Sequence, residues 1–199
     1  MTILDRVLLL LAGLLASYQI AVGIDGLATL PIIAYTIAFG ILLVAGLLLI
    51  ILGFDVLDSP IVVIVSTVIP LSLSLGLVWE HFATYRSLYL IFVVVGFLTV
   101  LTTRLLPLHN RLPVLVLAVV HGIAGLTIFL LPIVFSIAGQ ARPGFSLVGV
   151  GGALIGVGGL LLALLKAGRP LLSRETILKV LPGLLLLMTL AFVAGFALG

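Results

Sequence analysis

The groups best suited to bind a ligand are uncharged polar side chains in the first half of the chain, followed by an acid and a histidine. Hydroxyl, phenol and amide groups can hold a small neutral or weakly polar solute, and the adjacent Glu80 and His81 could bind a cation or gate an entrance. The set consists of Tyr18, Gln19, Tyr35, Thr36, Ser72, Ser74, Glu80 and His81. Ordinary hydrogen bonds between helices explain the same residues without a ligand, and both interpretations stay open.

A second kind of chemistry would use His121, the histidine that lies within a long apolar stretch. A single imidazole there could be the axial ligand of a haem or a chlorophyll. His81 and His109 fall at other depths, so a second ligand at the level of His121 is not expected. A neutral imidazole hydrogen-bonded to a neighbouring helix is the simpler interpretation, and we expect no cofactor. The chain has no cysteine, which excludes disulfides and thiolate ligands.

Enzyme motifs are not found in the sequence. Around Ser146 the second glycine of a nucleophile elbow would stand at Val148, and the chain places it one residue later, at Gly149. No Asp, Glu, Lys or Arg lies deep in an apolar stretch, which argues against a proton pump or a voltage sensor, because both need buried charges. We therefore expect a protein that is not an enzyme.

Seven apolar stretches must position these residues. The chain is 64% hydrophobic and 8% charged, whereas a soluble domain carries about 25% charged residues. A bilayer core about 30 Å thick is crossed by roughly 20 residues, which must be helical because lipid offers the backbone no hydrogen bonds. The predicted fold is all-α, a polytopic bundle of seven transmembrane helices that forms a single domain over residues 1–199. The predicted spans are Val7–Ile24, Ala28–Phe54, Pro60–Trp79, Ser87–Leu106, Leu112–Ala138, Phe145–Leu165 and Leu181–Leu198.

The basic residues predict the orientation of the bundle. If the first helix runs outwards, the inner face carries Arg6, Arg104, Arg111, Lys166, Arg169, Arg174 and Lys179, and the outer face carries Arg86 and Arg142. This excess predicts a cytoplasmic N-terminus and an external C-terminus. Asp5 beside Arg6 favours a retained first helix over a cleaved signal peptide. We expect the inner or plasma membrane of a prokaryotic cell, contact of the basic face with anionic lipid headgroups, and no binding of nucleic acid.

Two proline and glycine patterns suggest an internal repeat. Pro31 precedes Gly40 by the spacing at which Pro113 precedes Gly122, and a leucine comes before each proline. Helices one to three would then be repeated, inverted in the membrane, as helices four to six, with helix seven added. Inverted repeats are common in transporters and place the site near their shared interface. The alternative is that proline often begins helices and glycine often packs between them.

Helix three and helix six each carry a feature of helix packing. Pro70 lies near the middle of helix three and is expected to kink it, because proline removes a backbone hydrogen bond. Helix six is rich in glycine, and a stripe at helical spacing would let a neighbouring helix approach closely, in the same chain or in an oligomer. The stripe consists of Gly149, Gly152, Gly156 and Gly159.

Three functions are compatible with these patterns. The first is a carrier or channel for a small neutral or weakly polar solute, with a cavity between helices one, two, three and five. The alternative is a non-catalytic structural or accessory subunit of a larger membrane complex, with a packed interior and a docking face on the glycine stripe. The third is a membrane enzyme or a pigment- or haem-binding protein that uses His121 or the pair Glu80 and His81. A sensory receptor is permitted by seven helices, but nothing in the sequence indicates one.

Overall fold

The structure is a computed structural model that describes residues 1–106, 111–166 and 170–199. Within these residues the chain forms seven α-helices and no strand. The helices are α1 (Ile3–Val22), α2 (Thr29–Leu52), α3 (Pro60–His81), α4 (Arg86–Leu105), α5 (Leu112–Ile137), α6 (Ser146–Lys166) and α7 (Arg174–Leu198). All seven are apolar and long enough to cross a membrane, α6 together with the short turn before it. The all-helical prediction is therefore confirmed, and the architecture is compatible with a membrane protein.

The last helix begins earlier than the hydropathy predicts. The sequence places the start of the span at Leu181, whereas α7 begins at Arg174. Its first turn is capped by Ser173, whose hydroxyl accepts a hydrogen bond from the Thr176 N–H at 3.2 Å. Polar residues can begin a helix outside the apolar stretch because a cap satisfies the free N–H groups. The predicted site residues all lie within the described ranges, whereas His109 and Arg169 lie outside them.

Six of the described helices form a closed ring around the core. In the ring, α1, α2, α3, α5, α6 and α7 each pack against the next, and α7 packs against α1. The remaining helix, α4, lies outside the ring against α3 and α5. We use inner and outer for the two faces as the positive-inside rule predicts them. The predicted inverted repeat stays a prediction.

Side chains fill the centre of the ring. Phe39 of α2 and Phe192 of α7 are at most 2% exposed, and their rings meet edge to face with centroids 6.5 Å apart. Tyr35 packs against Phe196 with ring centroids 4.8 Å apart. Edge-to-face and tilted contacts of this kind are the favoured geometries of aromatic pairs. The middle of the ring is therefore a packed core.

The central helix is α3 and the peripheral helix is α4. In the most apolar window of α3, 67% of the residues are buried, against 17% for α4. Two buried hydroxyls of α3 are satisfied by its own backbone: Thr67 Oγ1 donates to the Val63 carbonyl at 2.7 Å, and Ser74 Oγ donates to the Leu71 carbonyl at 3.1 Å. The helix continues through Pro70 from Pro60 to His81. Hydroxyls bonded in this way need no partner helix.

An ion pair at the inner face connects the start of α7 to the loop between α2 and α3. Arg174 Nη2 lies 3.1 Å from Asp58 Oδ2 and 3.9 Å from Asp55 Oδ1, and all three side chains are more than half exposed. The contact places the end of α2 and the starts of α3 and α7 at one face, as alternating helices require.

We expect Arg174→Ala to lower the free energy of unfolding by less than about 1 kcal/mol, because water screens exposed pairs. Equilibrium unfolding at low and high salt would check this, with Lys179→Ala as a control that also removes an exposed inner cation. A loss of several kcal/mol that salt does not reduce would contradict it.

Candidate ligand-binding cleft

The structure separates the polar residues that the sequence predicts as one ligand site. Tyr18 is 55% exposed, Thr36 is also exposed, and Tyr35 is 5% exposed in the core. Gln19 is buried, but its side-chain amide donates to the Gly23 carbonyl of its own helix end at 2.8 Å. Ser72 and Ser74 are buried in α3. These side chains therefore point to different environments, although they share the outer half of the bundle.

Tyr35 has a packing role that its polar hydroxyl does not suggest. Its ring lies directly against Gly76 of α3: a Cβ atom built on Gly76 would lie 2.5 Å from two atoms of the tyrosine ring. Only glycine lets the backbone of α3 come this close to the ring. Tyr35 therefore connects α2 to α3 and, through Phe196, to α7.

A cleft of about 650 Å³ lies between α3, α4 and α5 on the outside of the ring. Its walls are Val78, Phe82, Tyr85, Leu88, Tyr89, Ile91, Phe92, Val95, Gly96 and Ile123. We call it the outer cleft. It extends from the turn before α4 to the middle of α4, which is about 15 Å at 1.5 Å per residue. That length matches half of a hydrocarbon core about 30 Å thick.

Four aromatic side chains form one wall of the outer cleft. Tyr89 and Phe92 lie on α4, and Phe82 and Tyr85 lie in the turn before it, at intervals of three and four residues along the chain. The rings of Tyr89 and Phe92 have centroids 5.2 Å apart, and those of Phe82 and Tyr85 are 6.3 Å apart. This stripe is not among the ligand residues predicted from the sequence, although its spacing is visible there.

A hydrogen bond between α4 and α5 stabilises the wall of the outer cleft at Tyr89. The Tyr89 hydroxyl donates to Thr127 Oγ1 at 3.2 Å, and the Thr127 hydroxyl donates to the Ile123 carbonyl of its own helix at 2.9 Å. This chain of two bonds connects the peripheral α4 to α5. It fixes the tyrosine ring in the wall and keeps its hydroxyl away from the lumen of the cleft.

Charged and aromatic residues lie at the end of α3 and the start of α4, next to the walls of the outer cleft, and we call this end of the cleft its rim. Arg86 Nε donates to the Trp79 carbonyl at 2.5 Å, and the guanidinium carbon lies 5.6 Å from the centre of the indole ring. Glu80 is half-buried at the same helix end. The His81 ring lies between Phe135 and Phe145, with centroids 4.9 and 5.3 Å away. Tryptophan and arginine at the end of a membrane helix are typical of the headgroup level.

The glycine stripe of α6 divides into two parts. A Cβ atom on Gly149 would lie 2.6 Å from the Phe129 carbonyl oxygen, and one on Gly152 would lie 2.8 Å from Ile128 Cγ2, so these two glycines pack against α5. Gly156 and Gly159 are exposed, with nothing within 4 Å of an added Cβ. Half of the stripe is thus used within the chain, and the other half is free to contact lipid or another protein.

Metal ligands do not gather anywhere in the described part of the chain, where no group of three or more His, Cys, Asp or Glu could hold an ion. His121 lies half-buried on α5. The fold and the outer cleft thus define a class: a multi-helical protein compatible with a membrane, with an aromatic, apolar cleft on its flank. Comparisons with protein-family models, with curated proteins and with solved structures give no match.

Proposed function

We propose that this protein is a carrier of a membrane amphiphile, whose apolar chain lies in the outer cleft and whose polar head lies at the rim. The observation that carries the proposal is the cleft itself, which is about one leaflet long and has aromatic walls. Its volume of about 650 Å³ is within the range of pockets for small molecules, about 300–1,000 Å³. Trp79 and Arg86 would contact the head.

The energetics of such a site differ from those of a pocket in water. Lipid tails are as apolar as the cleft, so moving a chain from lipid into the cleft gains no hydrophobic free energy. Binding would depend on dispersion contacts with the fixed rings of Tyr89 and Phe92 and on polar contacts at the rim. The guanidinium of Arg86 would favour an anionic head, such as a carboxylate or a phosphate.

A carrier or channel for a small polar solute has less support from the packing. Such a path would have to pass between α1, α2, α3 and α5, where Phe39 and Tyr35 are buried in the core. The hydroxyls of Thr67 and Ser74 are bonded to their own helix. The carrier proposal therefore keeps the transport class that the sequence suggests and changes the solute to an amphiphile.

A substitution that fills the outer cleft should remove the bound chain. We expect Val95→Trp to reduce labelling by a fatty acid with a diazirine in its chain at least about fivefold, because an indole would occupy the space of the chain. Val94→Trp is the matched control: Val94 is 49% exposed and Val95 is 55% exposed on the same helix, but only Val95 lines the cleft. Peptide mapping should locate the wild-type label around Phe92 and Ile123. Equal labelling of both variants would refute the site.

Transport needs a second measurement on the same variants. In vesicles that contain a fluorescent phospholipid, a carrier should make the inner-leaflet probe accessible to an external reductant that does not cross the membrane. We expect Val95→Trp to slow this exchange and Val94→Trp to leave it unchanged. Labelling without exchange would mean that the protein binds an amphiphile but does not carry it.

That result would favour the second candidate, an accessory subunit of a membrane complex. The observation in its favour is the exposed half of the glycine stripe, where Gly156 and Gly159 leave room for another helix. Small residues on a membrane helix allow close backbone approach. The double substitution Gly156→Leu and Gly159→Leu would then weaken an oligomer detected in mild detergent.

A further inference from the structure

The deep end of the outer cleft is closed by a close contact between α4 and α5. Gly96 is the deepest residue of α4 in the walls of the cleft, and it is buried. A Cβ atom built on Gly96 would lie 3.3 Å from Val120 Cγ2 and 3.4 Å from Val120 Cγ1. Because glycine has no side chain, Val120 of α5 can lie against the backbone of α4, and the two helices meet at this level.

A packed apolar cluster lies at and below this contact and joins α3, α4 and α5. Its buried members are Leu71, Val100, Val120 and Ala124. Each of them is at most 5% exposed. Val100 is one turn deeper than Gly96 on α4, and Val120 is about one turn deeper than Ile123, the residue of α5 in the wall. The three helices that form the cleft thus close on one another beneath it, and we call Gly96 and this cluster the floor of the outer cleft.

The distance from the rim to the floor corresponds to a definite length of alkyl chain. Arg86 and Gly96 lie on the same helix, about 15 Å apart along its axis at 1.5 Å per residue. An extended chain with C–C bonds of about 1.5 Å advances about 1.3 Å per carbon atom, so about 12 carbon atoms reach from Arg86 to the floor. A carbon atom beyond the floor would lie in lipid, where it gains nothing over the unbound chain.

We infer that Gly96 and Val120 determine the chain length of the bound amphiphile, and that this amphiphile is a straight-chain anion of about 12 carbon atoms. The inference rests on the proposed function, because it concerns the ligand of the same cleft. Arg86 attracts the head at the rim, and the floor limits the chain at the other end. Each carbon atom up to the floor adds dispersion contacts with the fixed walls, and further ones add none. Affinity should therefore rise with chain length and then level off.

The test is a competition between fatty acids for the full chain in detergent micelles. Octanoic, decanoic, dodecanoic, tetradecanoic and hexadecanoic acids displace the diazirine fatty acid, each at the same mole fraction within the micelles. We expect dodecanoic acid to compete at least about fivefold better than octanoic acid, because its longer chain contacts more of the walls. Hexadecanoic acid should compete at most about twofold better than dodecanoic acid, because its last carbon atoms lie in the micelle.

Two variants should move the length at which competition levels off in opposite directions. Val120→Ala removes two methyl groups beside Gly96, so tetradecanoic acid should compete at least about twofold better than dodecanoic acid. Ile123→Phe enlarges the wall at the deep end, so the rise should stop at decanoic acid. Val119→Ala is the matched control and should leave the profile unchanged, because Val119 is the adjacent valine, is 50% exposed and is not part of the walls.

The outcomes distinguish this inference from the proposed function. A rise that levels off at dodecanoic acid and shifts in the two variants supports the inference. Competition that still increases to hexadecanoic acid overturns the role of the floor, whereas the cleft remains an amphiphile site. A profile that is unchanged in Ile123→Phe also overturns it, and this variant keeps the test valid if Val120→Ala does not fold, because Ile123 is 44% exposed. Failure of every acid to compete overturns the inference and the proposed function together.

Discussion

Replacing Gly149 by alanine is expected to destabilise the protein by about 2 kcal/mol or more. The added Cβ would lie 2.6 Å from the Phe129 carbonyl oxygen and 2.7 Å from Ile133 Cγ1. The carbonyl belongs to the backbone of α5 and cannot rotate away, so α5 and α6 must separate. Their separation would loosen the packing along the whole α5–α6 seam. Reversible unfolding in mixed detergent micelles would measure the change.

Gly156→Ala is the matched control for this prediction, because it makes the same change on the same helix. Nothing lies within 4 Å of a Cβ atom at Gly156. Alanine has a higher helix propensity than glycine by about 1 kcal/mol, so this variant should be neutral or more stable. The two substitutions are thus expected to have opposite signs. If both variants gain stability, α5 and α6 do not approach each other as closely as the structure shows.

Replacing Phe192 by alanine should also have a large effect, because it opens a cavity in the centre of the ring. Phe192 is fully buried, and its ring contacts Phe39 edge to face. In a soluble core the same change costs about 3–5 kcal/mol, partly from lost hydrophobic transfer. Lipid removes much of that transfer term, so we expect about 2 kcal/mol or more from lost packing. A lower midpoint of thermal unfolding in detergent would show it.

The control is Leu187→Ala on the same helix, where the side chain is 56% exposed. Its contacts can be replaced by detergent or lipid, so we expect a change below about 1 kcal/mol. Equal effects of the two substitutions would mean that Phe192 is not tightly packed. A loosely packed ring centre would revive the hypothesis of a solute path between α1, α2, α3 and α5.

These two predictions test the scaffold on which the candidate sites depend. The ring supplies rigid walls from α3 and α5, and α4 is attached to those walls by a small apolar cluster and by the bond between Tyr89 and Thr127. The cluster consists of Leu71, Val100, Val120 and Ala124. With so little of α4 buried, the outer cleft lies beside the least anchored helix of the bundle.

The helices themselves could be predicted from the sequence. Each span needs about 20 apolar residues and an internally bonded backbone, and both demands are visible in the chain. The start of α7 was missed because Arg174 and Glu175 are polar, and a helix capped by Ser173 can include them. The sequence also predicts that Arg174 and Arg86 lie at opposite faces of the bundle, since successive helices alternate in direction.

The predicted ligand residues show what hydropathy could not decide. Tyr18 and Tyr35 both lie in the outer half of the bundle, yet one is exposed and the other is in the core against Gly76. Their roles depend on which face of each helix meets a neighbour. The outer cleft could not be predicted for the same reason. Val94 and Val95 are adjacent valines in the sequence, and only the packing of the helices shows that Val95 lines the cleft. The proposed sites therefore came from the tertiary structure.

The sequence alone determined the number, type and approximate length of the helices. A span must be long enough to cross the hydrocarbon core, and it must be helical because lipid offers the backbone no hydrogen bonds. Only the tertiary structure decided that α4 stands outside the ring and that the outer cleft opens beside it. In a soluble protein the buried face of a helix is the apolar one. In lipid both faces are apolar, so hydropathy does not distinguish core from surface, and close packing at residues such as Gly76 and Gly149 selects the neighbours.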